Sequence, residues 1–148
     1  MVTKTIQKHY SSVLFFGIAL LVVALDQLTK YIIITRNVSW SSALFQIHLV
    51  KNTGAGFGIL KGQILLLGFI SLVVALIIIF AHKKISQEKI PLLLFSLLLG
   101  GVIGNFIDRM FRHYVIDFID VGFWPVFNIA DAAITVSIII LVIYYWRK

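Results

Sequence analysis

The chain contains no cysteine, so no disulfide framework, thiol nucleophile or cysteine metal site is available to it. Serine chemistry is equally unsupported: there is no G-x-S-x-G turn and no serine paired with a histidine. The four histidines, His9, His48, His82 and His113, are dispersed without metal-ligand spacing, so neither a metal nor another cofactor is expected. The glycine-rich stretch Asn52-Thr53-Gly54-Ala55-Gly56-Phe57-Gly58 lacks the Lys-Ser/Thr ending of a phosphate loop, which argues against nucleotide binding. Its glycines permit positive φ and close backbone approach instead. Acidic residues are scarce, six against thirteen Lys and Arg. Glu88 lies in a basic loop; the other five are Asp26, Asp108, Asp117, Asp120 and Asp131.

What is abundant is apolar. The 148 residues are 60% hydrophobic, with a mean hydropathy of +1.01. Apolar runs lie at about 12–34, 63–80, 90–107 and 129–146. Crossing the hydrocarbon takes roughly 20 residues. The third run reaches that length only with Asn105, and the fourth only with Asp131. The expectation is an all-α membrane protein, one domain over 1–148, with four transmembrane helices. Lys4 and Lys8 ahead of the first run could suggest a secretory signal, but no small-x-small cleavage site follows.

Orientation follows from basic density. Lys4 and Lys8, then Lys83, Lys84 and Lys89, then Arg147 and Lys148 crowd three short segments. Lys51, Lys61, Arg109 and Arg112 are spread through the much longer connections. By the positive-inside rule both termini face the cytoplasm, and the connections 37–62 and 108–128 face outside. The net charge of +7 reads as membrane-surface anchoring, with no nucleic-acid partner. In the first outer connection Phe45, Ile47 and Leu49 alternate with Gln46 and His48, which predicts a small β-strand platform between helices 1 and 2. The second connection, between helices 3 and 4, alternates similarly over Val115–Val121, interrupted by Asp117 and Asp120.

This topology carries Asp26, Asp108 and Asp131 from three helices to the same outer face. An ionisable residue at membrane depth is costly, so each is a functional candidate. Each also has a plain structural reading. Asp26 and Lys30 are spaced i, i+4, as in a helical ion pair with Lys30 snorkelling to the interface. Asn105, Asp108 and Arg109 share a helix face, where Arg109 could simply neutralise Asp108. Asn128 and Asp131 suit a helix N-cap and the acidic first turn behind it. Against these readings stands the convergence of acids on one interface. Two carboxylates sharing a proton can hydrolyse a peptide without a covalent intermediate, the ionised member activating water and the protonated one donating to the carbonyl.

Four ordered blocks sharpen this picture: Asp26-Gln27-Leu28-Thr29-Lys30, Asn52 to Gly58, Gly104-Asn105-Phe106-Ile107-Asp108-Arg109 and Phe127-Asn128-Ile129-Ala130-Asp131. With them the chain resembles the lipoprotein signal peptidase, or signal peptidase II, family over nearly its whole length. Val115 to Asp120 is similar to the family's intervening segment, and Gly56 stands where the family usually has Ala. The resemblance implies a membrane aspartic endopeptidase with Asp108 and Asp131 as the catalytic pair. Asn105, Arg109, Asn128 and Ala130 would line the site, with Asp26, Lys30, Asn52 and Gly54 supporting it. It further implies a monomer in the bacterial cytoplasmic membrane, taking lipidated prolipoproteins among membrane lipids. Cleavage would fall before the lipidated cysteine, and globomycin-like cyclic peptides would block it. Rival readings are a small four-helix proton-coupled transporter, which needs a carboxylate near the midplane, and a presenilin-type protease, whose Gly-x-Gly-Asp motif is missing.

Overall fold

The computed structural model describes residues 2–85 and 88–148, without the side chains of residues 2–8 and 57. The placement of the Lys4 and Lys8 side chains, and of residues 86 and 87 in the basic 81–89 connection, therefore lies outside the described residues. Four long helices carry the chain: α1 (Val2–Arg36), α2 (Ile64–Ile85), α3 (Lys89–Phe111) and α4 (Ile129–Trp146). All four are long and apolar enough to cross a membrane. α1 starts well before residue 12 and α3 runs past residue 107. An apolar run marks the part of a helix that suits hydrocarbon, while the helix itself continues until its backbone is capped or broken.

α3 is the central helix and packs against the other three. Small residues make this possible. A Cβ added at Gly100 would lie 2.6 Å from Val22 Cβ, and one at Gly101 would lie 2.5 Å from the Ala130 carbonyl. α1 and α4 thus touch the α3 backbone directly. A buried cluster of Phe15, Ala19, Ala75, Ile78, Leu92, Leu99 and Val102 fills the bundle. Large apolar residues such as Leu20, Leu65, Ile77, Phe80 and Val142 point outward, as lipid-facing surface does. Thr29, Ser71, Ser96 and Ser137 each return their hydroxyl to a carbonyl four residues back, so these polar groups are satisfied within their own helix. At the end away from the site, Glu88 accepts hydrogen bonds from Lys148 Nζ (2.6 Å) and from the Tyr144 hydroxyl, which ties the last helix to the start of α3.

The strands that the alternation predicts are present, and the structure adds how they pair. The two connections do not stay separate: β1 (Trp40–Ser41), β2 (Gln46–Asn52) and β3 (Val115–Asp120) form one antiparallel sheet in the order β1-β2-β3. Period-two alternation predicts that a strand exists, but not which distant strand it pairs with. The register sets Asn52 opposite Val115 and Val50 opposite Asp117, with an irregularity between Ile47 and Val50. Ile33, Ile116 and Phe118 pack beneath the sheet. Phe127 then bonds to Phe118 and Ile119 of β3, which delivers the following residue, Asn128, to the sheet end of the bundle.

Candidate active site

Four elements meet at that end: the C-terminal parts of α1 and α3, strand β3, and the first turn of α4. Asn128 joins them. As the N-cap of α4 it accepts from the Asp131 backbone N–H (2.8 Å), while its own N–H donates to Asp131 Oδ2 (3.2 Å). The capping reading of Asn128 and Asp131 is therefore correct, and incomplete. Capping fixes Asn128 Oδ1 as the acceptor and so aims Nδ2 inward, where it donates to Asp117 Oδ1 (2.7 Å), Asn105 Oδ1 (3.2 Å) and the Ile116 carbonyl (3.2 Å). A cap of this kind contributes about 1 kcal/mol to the helix.

The two carboxylates that flank Asn128 are Asp117 and Asp131. Asn105 Nδ2 donates to Asp131 Oδ1 (2.7 Å). Asn52 Nδ2 donates to Asp117 Oδ2 (2.9 Å), and its Oδ1 accepts the Gly54 N–H (2.9 Å). Asp117 is buried at 1% exposure. Burial pushes its carboxyl up to about 7 and the Asp131 charge adds to the rise, against the hydrogen bonds from Asn52 and Asn128. The glycine loop reaches the site through these bonds. At Gly54 an added Cβ would lie 2.9 Å from the Ile59 carbonyl, so this turn needs glycine for close approach.

Asp108 has a different set of partners from the expected one. Its Oδ2 accepts from Lys30 Nζ (2.9 Å) and the Ile116 N–H (3.0 Å). Its Oδ1 accepts from Arg112 (2.5 Å) and Gln27 Nε2 (3.2 Å). Both oxygens of this fully buried carboxylate are committed to cations and to the β3 backbone. Beside Lys30, the arginine that neutralises it is Arg112, one helical turn on, rather than its neighbour Arg109, because residues i and i+1 do not face each other on a helix. Arg109 turns toward the glycine loop, with Nη2 3.5 Å from the Gly54 carbonyl. Its Nε is the one buried side-chain nitrogen or oxygen without a hydrogen-bond partner among the described residues.

The surface reading of Asp26 and Lys30 is also corrected. Their ion pair (2.8 Å) is fully buried. Lys30 does not snorkel; it lies between Asp26 and Asp108 and donates to Asn105 Oδ1 (3.1 Å). Asp26 Oδ1 accepts the Ala130 N–H (3.0 Å). That contact requires small neighbours, since a Cβ at Gly104 would sit 2.7 Å from Asp26 Oδ2. Asp26, Lys30, Asn52, Gly54, Asn105, Asp108, Asn128, Ala130 and Asp131 thus belong to one network, and Arg109 borders it through Gly54.

Sequence reasoning passed over Asp117, Gln27 and Arg112. An acidic residue interrupting an apolar strand carries the same signal as one interrupting an apolar helix, and Asp117 carries it. Arg112 stands i+4 from Asp108, the pairing distance on a helix.

Fold and site together define a polytopic membrane protein with a buried carboxylate–carboxamide centre where three helix ends meet a small sheet. A family model described as signal peptidase (SPase) II matches residues 18–147. The chain is 42% identical over 134 residues to a lipoprotein signal peptidase of Moorella thermoacetica, covering 86% of this chain and 89% of that one. It is 41% identical over 143 residues to one from Francisella tularensis subsp. novicida, covering 86% and 88%. A bacterial membrane enzyme determined by the in meso method at 2.3 Å superposes with a TM-score of 0.83 at 34% identity, over 90% of this chain and 87% of that chain. A second, at 1.9 Å, gives 0.78 at 34% identity, over 88% and 91%. The chain belongs to the signal peptidase II family and is a membrane protease.

Proposed function

We propose that this chain removes signal peptides from diacylglyceryl-modified prolipoproteins, cutting before the lipidated cysteine, with Asp117 and Asp131 as the reacting carboxylates. The observation that carries this reading is that buried Asn128 contacts both carboxyl groups, its Nδ2 donating to Asp117 Oδ1 (2.7 Å) and its backbone N–H to Asp131 Oδ2 (3.2 Å). Asp108 was the expected partner of Asp131, but two cations and a backbone N–H occupy it. Asp117, with its carboxyl raised to about 7, is suited to hold a proton at neutral pH. It donates that proton to the scissile carbonyl while Asp131 takes one from the attacking water. Arg109, whose Nε has no hydrogen-bond partner among the described residues, is the donor proposed for a second peptide carbonyl. The hydrogen bonds from Asn52 and Asn105 hold the two carboxylates in place.

The site's depth fits such a substrate. Lipid chains keep the precursor in the bilayer, and the bond beside the lipidated cysteine then lies near the surface, where strand β3 and the first turn of α4 present the pair. The protein would act as a monomer in the bacterial cytoplasmic membrane, with both termini inside and the sheet outside, and cyclic peptides resembling globomycin would occupy the same site. A carboxylate centre at helix ends beside a sheet does not suit the transporter reading, which needs one near mid-bundle.

The test is cleavage of a synthetic diacylglyceryl precursor peptide by the protein in detergent, read by mass spectrometry. The expected products are a free signal peptide and a fragment beginning with the lipidated cysteine, with release blocked by the cyclic peptide. Equal cleavage of the lipidated and unlipidated peptides, or cleavage at another bond, would overturn the substrate assignment.

A further inference from the structure

Arg112 occupies the C-cap of α3 through its backbone, whose N–H donates to the Asp108 carbonyl (2.8 Å). Its side chain has a separate task. It folds back one turn, placing Nη1 2.5 Å from Asp108 Oδ1 and 2.8 Å from Gln27 Oε1. Gln27 closes the ring, donating through Nε2 to Asp108 Oδ1 (3.2 Å), Asp26 Oδ2 (3.1 Å) and the Gly104 carbonyl (3.1 Å). α1 and the end of α3 are thereby clasped around one carboxylate. The other oxygen of that carboxylate accepts the N–H of Ile116, the residue immediately before Asp117. Between these points the chain reverses through His113 at φ 61°, a region few residues with side chains occupy. The Asp108–Ile116 bond thus spans a reversal that the backbone alone does not favour.

The charges around the clasp balance. Asp26 and Lys30 on α1 and Asp108 and Arg112 on α3 supply two negative and two positive groups. The other charged groups facing this cluster are Arg109 on α3, Asp117 on β3 and Asp131 on α4.

We infer that Arg112 and Gln27 are positioning residues for the reaction: together they fix Asp108, and through it the β3 backbone that carries Asp117, while Arg112 keeps the buried cluster beside the reacting pair neutral. This rests on the assignment of Asp117 and Asp131 as that pair. Misplacing a reacting group by about 1 Å can cost on the order of 100-fold in rate. Loss of one cation leaves a negative charge near two acids, which makes both harder to ionise.

The test compares Arg112→Gln, Arg112→Lys, Gln27→Met and Asp117→Asn in the full chain in lipid nanodiscs, by steady-state cleavage of the lipidated peptide from pH 5 to 9. Arg112→Gln should lower kcat by roughly 10- to 100-fold with KM within about twofold. It should also move both limbs of the pH–rate profile upward by about one pH unit. Gln27→Met keeps every charge, so it should lower kcat by about tenfold with the limbs unmoved. Arg112→Lys should restore the limbs and only part of kcat, since a flexible ammonium does not hold Asp108 Oδ1 and Gln27 Oε1 in the fixed geometry of the planar Nη1. If Arg112→Gln does not fold, Gln27→Met and Arg112→Lys still carry the geometric and charge arms. Wild-type kcat in Arg112→Gln or Gln27→Met overturns the clasp, as does a loss confined to KM, or a pH profile in Arg112→Lys shifted as far as in Arg112→Gln. Full activity in Asp117→Asn overturns the underlying assignment instead. An inactive Asp117→Asn beside an unaffected Arg112→Gln overturns the clasp alone.

Discussion

Asp117→Asn and Asp131→Asn should each lower the rate of signal-peptide cleavage by about 100- to 10,000-fold, the range of general acid–base catalysis, while the protein keeps its fold. Asn preserves size and hydrogen bonding but cannot exchange a proton. At position 131 it also remains a suitable neighbour for the α4 cap, so a residue serving only as a cap would tolerate the change. Asp108→Asn should behave differently. It leaves Lys30 and Arg112, which face that carboxylate at 2.9 Å and 2.5 Å, short of one buried negative charge. Breaking a buried pair costs roughly 3–5 kcal/mol, so this variant should melt well below the wild type as well as cut poorly. Thermal unfolding measured beside turnover separates the two behaviours. A stable Asp108→Asn protein that is inactive, beside an Asp117→Asn protein that cuts normally, would return Asp108 to the reacting pair.

The second large effect concerns Asp26 and Lys30. If they formed a surface pair, exchanging them would cost little, since an exposed i, i+4 pair contributes about 0.2–0.5 kcal/mol. In the structure both are fully buried, and each has partners that fix its polarity. Asp26 accepts from the Ala130 N–H, and Lys30 donates to the side-chain Oδ1 of Asn105. In the exchanged protein a cation would face an N–H donor, and a carboxylate would face both an amide oxygen and Asp108. The double variant Asp26→Lys with Lys30→Asp should therefore lose roughly 3–5 kcal/mol of stability and essentially all turnover. Near-wild-type melting and activity would show that the pair is exposed and interchangeable.

Much of this architecture was legible in the sequence because the bilayer makes hydropathy a strong signal. Four apolar runs gave four helices, and acidic residues at their ends marked where those helices converge. The alternation around Phe45 to Leu49 announced a strand. The sequence was silent on pairing, because the register of β2 on β3 depends on contacts between residues more than sixty positions apart. At Asp108 motif and charge point to chemistry, while the structure surrounds its carboxylate with Lys30 and Arg112. Motif proximity cannot tell a carboxylate saturated by Lys30 and Arg112 from one held only by neutral amides. The difference lies in which side chains a three-dimensional packing brings within 3 Å. The Gly100, Gly101 and Gly104 face is similar: a run of small residues shows that a close approach is possible, while only the fold shows that Asp26 and Ala130 are what approach.

In the proposed mechanism Asp117 and Asp131 share the proton that drives hydrolysis. The most direct measurement is the pH dependence of cleavage of the lipidated peptide by the unmodified protein. Burial holds the Asp117 carboxyl up at about 7, so its proton is present below that pH and lost above it. A raised acid of this kind supplies activity that falls as pH rises through that value. The profile should be bell-shaped, with the alkaline limb falling near pH 7 and the acidic limb marking protonation of the base. Cleavage that continues undiminished to pH 9, or that depends on a chelatable metal, would contradict it.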